Sequence, residues 1–116
     1  MDNKRKKRIE ESIQRELGKI LLCYPRHQIF SKITITFVEM SADLAVAKVF
    51  FSLFDGIDLQ EAMEILNRET GFFRKSLAQK LNLRMTPKIN FIYDESLHRS
   101  RRVVNLIDEA ILRDQH

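Results

Sequence analysis

The sequence predicts an α+β domain in which a three-stranded sheet carries helices on one face. Apolar residues recur at helical spacing before residue 24 and again between residues 59 and 81. Two runs in the first half of the chain alternate with period two, and a third short alternating run follows Pro87. With 116 residues, 44% hydrophobic and 31% charged, the chain has the size and balance of one domain. We read residues 1–116 as that unit, with a core over about 5–95 and a C-terminal helical tail over 96–116. A fold of this length hides roughly two-thirds of the unfolded chain's surface, so its core needs no staple.

The first helix is read from Ile9, Ile13, Leu17 and Ile20, which share one face at about 100° per residue until Tyr24 and Pro25 end the run. Arg5, Arg8, Arg15 and Lys19 fall together on a separate narrow arc, while Glu10 and Glu16 flank the apolar side. Two strands follow. ITITFVEM sets Ile33, Ile35 and Phe37 against Thr34, Thr36 and Val38, so the first set is expected to face the core. DLAVAKVFFSLF sets Ala45, Ala47, Val49 and Phe51 against Val46, Lys48, Phe50 and Ser52. Met40 to Asp43 suits a short antiparallel connection. Each strand has one apolar and one mixed face, which leaves one side of the sheet open.

After the Phe54, Asp55, Gly56 turn, Asp58 with Glu61 three residues later resembles a capping box and starts a second helix. Leu59, Ala62, Ile65 and Leu66 make its apolar face. Gly71 interrupts a pattern that resumes at Phe73, Leu77 and Leu81, so a kinked pair meeting at Gly71 is expected. Past Pro87, KINFIYD places Ile89, Phe91 and Tyr93 on one face of a third strand. The tail holds Val103, Ile107, Ala110 and Ile111 at helical spacing, behind His98, Arg99, Arg101 and Arg102.

Several functions are disfavoured. The lone Cys23 and the scattered His27, His98 and His116 supply no disulfide and no metal-ligand spacing, so no metal or cofactor is expected. No run approaches the 18 or so apolar residues of a membrane span, and the basic start runs straight into a helix, so a cytoplasmic protein without membrane contact is expected. Gly18, Gly56 and Gly71 lie too far apart for a phosphate-cradling loop. Asp94, Glu95, Ser96 and His98 gather carboxylates, a hydroxyl and an imidazole that a small hydrolase would use, but such residues after a strand are ordinarily turn and cap residues.

Cations recur where a surface can be built. Lys4, Arg5, Lys6, Lys7 and Arg8 form an unbroken run, Arg68, Arg74, Lys75 and Lys80 surround the break, and Arg84 and Lys88 flank Pro87. Arg99, Arg101 and Arg102 open the tail, and the net charge is +4. Phosphate contacts need such long cations and little base chemistry, which favours a nucleic-acid surface. Phe50 on the mixed face suggests base stacking, yet one aromatic is not a stacking platform, and a tail segment lying over it is the better reading.

The order helix, strand, strand, helix, kink, helix, strand is that of a type II KH-like domain. RIEESIQRELGKIL, ITITFVEMSADLAVAKVFFSLF, LNRETGFFRKSLAQKLNLRMTPKINFIYDES and HRSRRVVNLI, running from Arg8 to Ile107, resemble the bacterial ribosome-binding factor A family. The resemblance implies a non-enzymatic assembly factor. Such a factor binds the small ribosomal subunit near the 5′ end, neck and decoding region of 16S rRNA, assists processing and growth in the cold, and leaves before translation. It implies a monomer with 16S rRNA as partner. KH domains usually clamp the nucleic-acid backbone with a GxxG loop. The resemblance implies a kink of the form Ala-x-Gly in its place, occupied here by Glu69, Thr70 and Gly71. Gly71 matches and Glu69 does not. By helical phase Glu69 continues the apolar face, where a carboxylate is costly, so the backbone is expected to turn before residue 69 and expose it; pairing with Arg68 or another cation is the alternative. A protein interaction module docking a partner on the open sheet face around Thr36, Lys48 and Phe50 is the competing function.

Overall fold

The computed structural model describes residues 3–24, 26–54 and 56–95. Helix α1 spans Asn3–Cys23 and is followed by a 3-10 turn at Gln28–Lys32, strands β1 (Ile33–Met40) and β2 (Val46–Leu53), helices α2 (Leu59–Arg68) and α3 (Thr70–Lys80), and strand β3 (Lys88–Tyr93). The expected helical tail, with Arg99, Arg101 and Arg102, lies outside the described residues.

The sheet order is β1-β2-β3. Consecutive β1 and β2 pair antiparallel through a tight turn, whereas β2 and β3 pair parallel and therefore need the long crossover that α2 and α3 supply. In the connection between β1 and β2 the Asp43 carboxylate accepts from Ser41 Oγ at 2.7 Å and from the Ala45 N–H at 3.1 Å. The Ser41 hydroxyl, followed by the Ala45 N–H, holds that carboxyl below its ordinary pKa. The α+β class, the element order and the three-stranded sheet agree with the expectation from sequence, and the parallel pairing of β3 makes the sheet mixed.

The core lies between one face of the sheet and the helices. Ile13, Leu17, Ile20 and Leu21 of α1, Leu66 of α2 and Phe73 and Leu77 of α3 are buried together with Val49, Phe51, Ile89 and Phe91 of the sheet. Phe30 of the 3-10 turn, Phe73 and Phe91 form an aromatic chain with successive centroid distances of 5.5 Å. Such offset and edge contacts add to the area these rings bury.

Simple alternation fails in β1. Ile35 pairs with Phe51 and Phe37 with Phe50, so Thr36 is an extra residue, a β-bulge. Beyond it the inward phase passes from odd to even positions: Val38 and Met40 are buried, and Phe37, expected inside, is 51% exposed on the open face. No Gly or Pro marks the place, so the period-two pattern carries straight through it.

The helix break is also displaced. α2 begins as expected at Asp58, whose carboxylate accepts from the Gln60 N–H at 3.1 Å. The break itself falls on Glu69 (φ −94°, ψ 9°) rather than on Gly71, which lies in the first turn of α3 with open space where a Cβ would stand. The Glu69 N–H still donates to the Ile65 carbonyl at 3.0 Å, and its own carbonyl accepts from the Phe73 N–H at 3.1 Å. The join is thus a kink with the hydrogen-bond ladder nearly intact, and the Thr70 hydroxyl donates to the Asn67 carbonyl beside it.

Candidate nucleic-acid interface

Helical phase sets Arg5, Arg8, Arg15 and Lys19 along one exposed arc of α1. The packing of α1 beside α3 then gives this arc a neighbour. Arg5 and Arg84 line one cleft together with Ile9, Met40, Asp43, Leu44 and Pro87. Arg8 lines an adjacent groove together with Lys80. Arg5, Arg8, Lys80 and Arg84, scattered in sequence, therefore converge where the first half of α1 meets the end of α3. Lys4 and Lys7 are exposed on the same helical segment, and Lys6 is half-buried. Farther along, Lys19 lies 3.5 Å from Glu16 in an ion pair that is largely solvated on the lysine side and worth little.

The cations around the kink have different duties. Arg68 and Lys75 are exposed. Arg74 donates through Nε to the Pro87 carbonyl at 3.2 Å and through Nη2 to the Thr86 carbonyl at 3.3 Å, tying α3 to the loop before β3. A guanidinium has five donors, so a phosphate can still engage the remainder. Lys88 pairs in register with Val46 and so belongs to the open face of the sheet, away from the helices. The cations singled out in the sequence are therefore divided between two faces of the molecule.

Glu69 is the correction that matters most at this site. Expected to be exposed, it is 8% exposed and is the one buried charged residue among those described. Its Oε2 accepts from Arg26 Nε at 2.6 Å, and its Oε1 lies 3.5 Å from His27 Nε2. The pairing cation is thus neither absent nor Arg68; it comes from the loop after α1, 43 positions upstream. Arg26 also stacks over the Phe72 ring, 4.4 Å from its centroid, and Phe72 meets Tyr24 edge-on at 6.0 Å. The Arg26 hydrogen bond, more than any other influence, holds the Glu69 carboxyl below its ordinary pKa, against the opposing effect of burial. The anion at the kink is thus paired locally, with Arg26 and His27. Sequence reasoning missed Arg26 and His27 because no spacing rule links them to residue 69.

The remaining motifs are placed differently. Asp94 accepts from Thr36 Oγ1 at 2.7 Å across the sheet, a structural engagement, and Ser96 and His98 lie outside the described residues. Phe50 does not stand alone: the bulge brings the Phe37 ring to 5.8 Å from it.

The arrangement is a surface of separate cations on an α+β frame. The family model for ribosome-binding factor A matches residues 5–107. Ribosome-binding factor A of Coxiella burnetii (strain Dugway 5J108-111) is 39% identical over 112 residues, covering 97% of this chain and 94% of that protein. The crystal structure of ribosome-binding factor A from Thermus thermophilus superposes with a TM-score of 0.68 at 23% identity, over 76% of this chain and 93% of that one, which shows the shared fold. A Thermus thermophilus ribosome binding factor A model fitted into a cryo-EM map of its complex with the 30S subunit has a TM-score of 0.64 at 22% identity, over 76% and 93% of the two chains. By the match of its sequence over nearly the whole length, this chain belongs to the ribosome-binding factor A family.

Proposed function

We propose that the chain is a non-catalytic assembly factor that binds the small (30S) ribosomal subunit through 16S rRNA, as a monomer in the cytoplasm, and assists late processing and maturation of that RNA, including in the cold. The observation that carries the reading is the family match over residues 5–107 on a frame where Arg5, Arg8, Lys80 and Arg84 converge. These four cations, with Lys4, Lys7, Arg15, Lys19, Arg68, Arg74 and Lys75 as further contacts, neutralise phosphates of folded rRNA. A binder shifts the RNA between arrangements only as far as its affinity for them differs, so the mechanism is selection of one rRNA conformation, without turnover.

Co-sedimentation with isolated small subunits across a salt series tests this, with large subunits and unstructured RNA as competitors. Saturable binding that survives the competitors is expected, and Arg8→Glu with Lys80→Glu should weaken it at least tenfold and flatten the salt slope by about one to two. Equal binding to every RNA would reduce the chain to a generic basic domain. A larger loss from Phe50→Ala than from the charge reversals would favour the protein interaction module on the open sheet face.

A further inference from the structure

We infer that the cleft between α1, the β1–β2 connection and the loop before β3 takes a single unpaired nucleobase, an inference that rests on the RNA-binding reading above. The cleft has a volume of about 190 Å³. Pockets that enclose a drug-sized ligand run to ~300–1,000 Å³, so this one admits one ring system and leaves the sugar and phosphates outside. Its apolar lining comes from Ile9, Met40, Leu44 and Pro87, and Met85, 76% exposed, adds a polarisable thioether. Arg5 and Arg84 line the same cleft, and Arg8 and Lys80 line the adjacent groove. An apolar slot bordered by cations matches an extruded nucleotide, whose base presents flat faces for packing and whose flanking phosphates are anionic.

Two features of the β1–β2 connection support this occupant. Leu44 has a φ of 62°, in the left-handed region that a residue with a Cβ adopts at a cost and glycine adopts freely. Its N–H donates to the Ser41 carbonyl at 2.9 Å, and the Lys88 N–H donates to the neighbouring Ala45 carbonyl at 2.9 Å, which ties the connection to the start of β3. The strained turn thus sets an apolar residue in the cleft wall, and strained residues that their surroundings hold in place cluster at ligand sites. Asp43, in the same wall, is the second feature. Its Oδ1 accepts from both Ser41 Oγ and the Ala45 N–H, and the residue is exposed, so Oδ2 can take a donor from a ligand. A carboxylate there repels an acidic peptide and gains nothing from an apolar side chain. It accepts from the exocyclic amine of cytosine, where uracil presents a carbonyl oxygen instead. Arg74 fixes the third wall through its bonds to the Thr86 and Pro87 carbonyls, so little ordering remains to be done on binding.

The test is methyl-detected NMR of the full chain, titrated with a cytidine RNA hexamer, a uridine RNA hexamer and an abasic hexamer that keeps the phosphates and lacks the bases. The cytidine hexamer is expected to move the Ile9, Leu44 and Met85 methyl resonances, to give nuclear Overhauser contacts from its base protons to them, and to bind about tenfold more tightly than the abasic one. The uridine hexamer should fall between the two. In Asp43→Asn the side-chain oxygen still serves the turn and an amide donor takes the place of Oδ2, so the order of the cytidine and uridine hexamers should reverse. Leu44→Gly suits the positive φ and should fold, and it should bring the cytidine hexamer down to the affinity of the abasic one. Equal affinity for all three hexamers with the cleft methyls unmoved would overturn the inference, as would an order that Asp43→Asn leaves unchanged. A peptide of alternating Leu and Glu that moves these methyls at lower concentration than any hexamer would assign the cleft to an acidic protein segment, with the same result. The hexamers need no ribosome, so their failure with small-subunit co-sedimentation retained removes the base site alone, and loss of co-sedimentation with base-dependent hexamer binding retained removes the assembly-factor reading alone.

Discussion

Arg26→Ala tests the kink most directly. It leaves the Glu69 carboxylate buried without its 2.6 Å hydrogen bond. A buried charged acceptor stripped of its partner costs about 2 kcal/mol. A fully buried pair would cost more, about 3–5 kcal/mol, but the Arg26 side chain is 50% exposed and solvent already screens it. Loss of the cation over Phe72 adds about 0.5 kcal/mol at this exposure. Glu69→Ala removes the charge that needs burying, and the backbone bonds of residue 69 to Ile65 and Phe73 survive, so its cost should stay under about 1 kcal/mol. The double variant is therefore expected to be more stable than Arg26→Ala alone, by about 1 kcal/mol. Urea unfolding of the four proteins at neutral pH measures this. If the two single losses simply add, or if Glu69→Ala costs more than Arg26→Ala, Arg26 is not what makes residue 69 tolerable as a glutamate.

The same pair shapes the acid limb of stability. Because the native Glu69 carboxyl is held below its ordinary 4.5, the native chain binds this proton less readily than the unfolded one. Its contribution is full above that value and is lost as pH falls through the lowered native one, so the acid limb should flatten in Arg26→Ala, read by thermal melts between about pH 6 and 3. The bulge predicts that Val38→Ala, at a buried site, costs about 2 kcal/mol while Phe37→Ala costs under about 1; an unbroken β1 would reverse the order in urea unfolding. Gly71→Ala should stabilise the chain by about 0.5 kcal/mol, because a Cβ there meets nothing and the residue is helical. If the same change weakens small-subunit binding, the glycine serves RNA approach and not the fold.

Elements governed by local periodicity are legible in the residues alone. The Ile13, Leu17, Ile20 stripe, the Asp58 cap, the two strands that keep strict alternation and the existence of a helix break all follow from interactions between residues a few positions apart. The failures are of another kind. A bulge at Thr36 is settled by how β1 meets β2 in register, and the residues themselves carry no special backbone demand there. Helix propensity points to Gly71 as the kink, since glycine is the weakest helix former in the run, yet the chain turns at Glu69, where Arg26 and His27 meet it.

The α+β class, the order of elements, their amphipathic faces and the stock of cations on α1 and α3 are thus written in the chain's local pattern. Which cations meet is settled only in three dimensions: Arg5 and Arg8 come to Arg84 and Lys80 because α1 packs beside α3. The burial of an acid at residue 69 is settled there too, since the cation that permits it is supplied from 43 positions away. Periodicity encodes which face of an element is apolar, but partners across the core are selected by packing of whole elements, and that information is not contained in any local window.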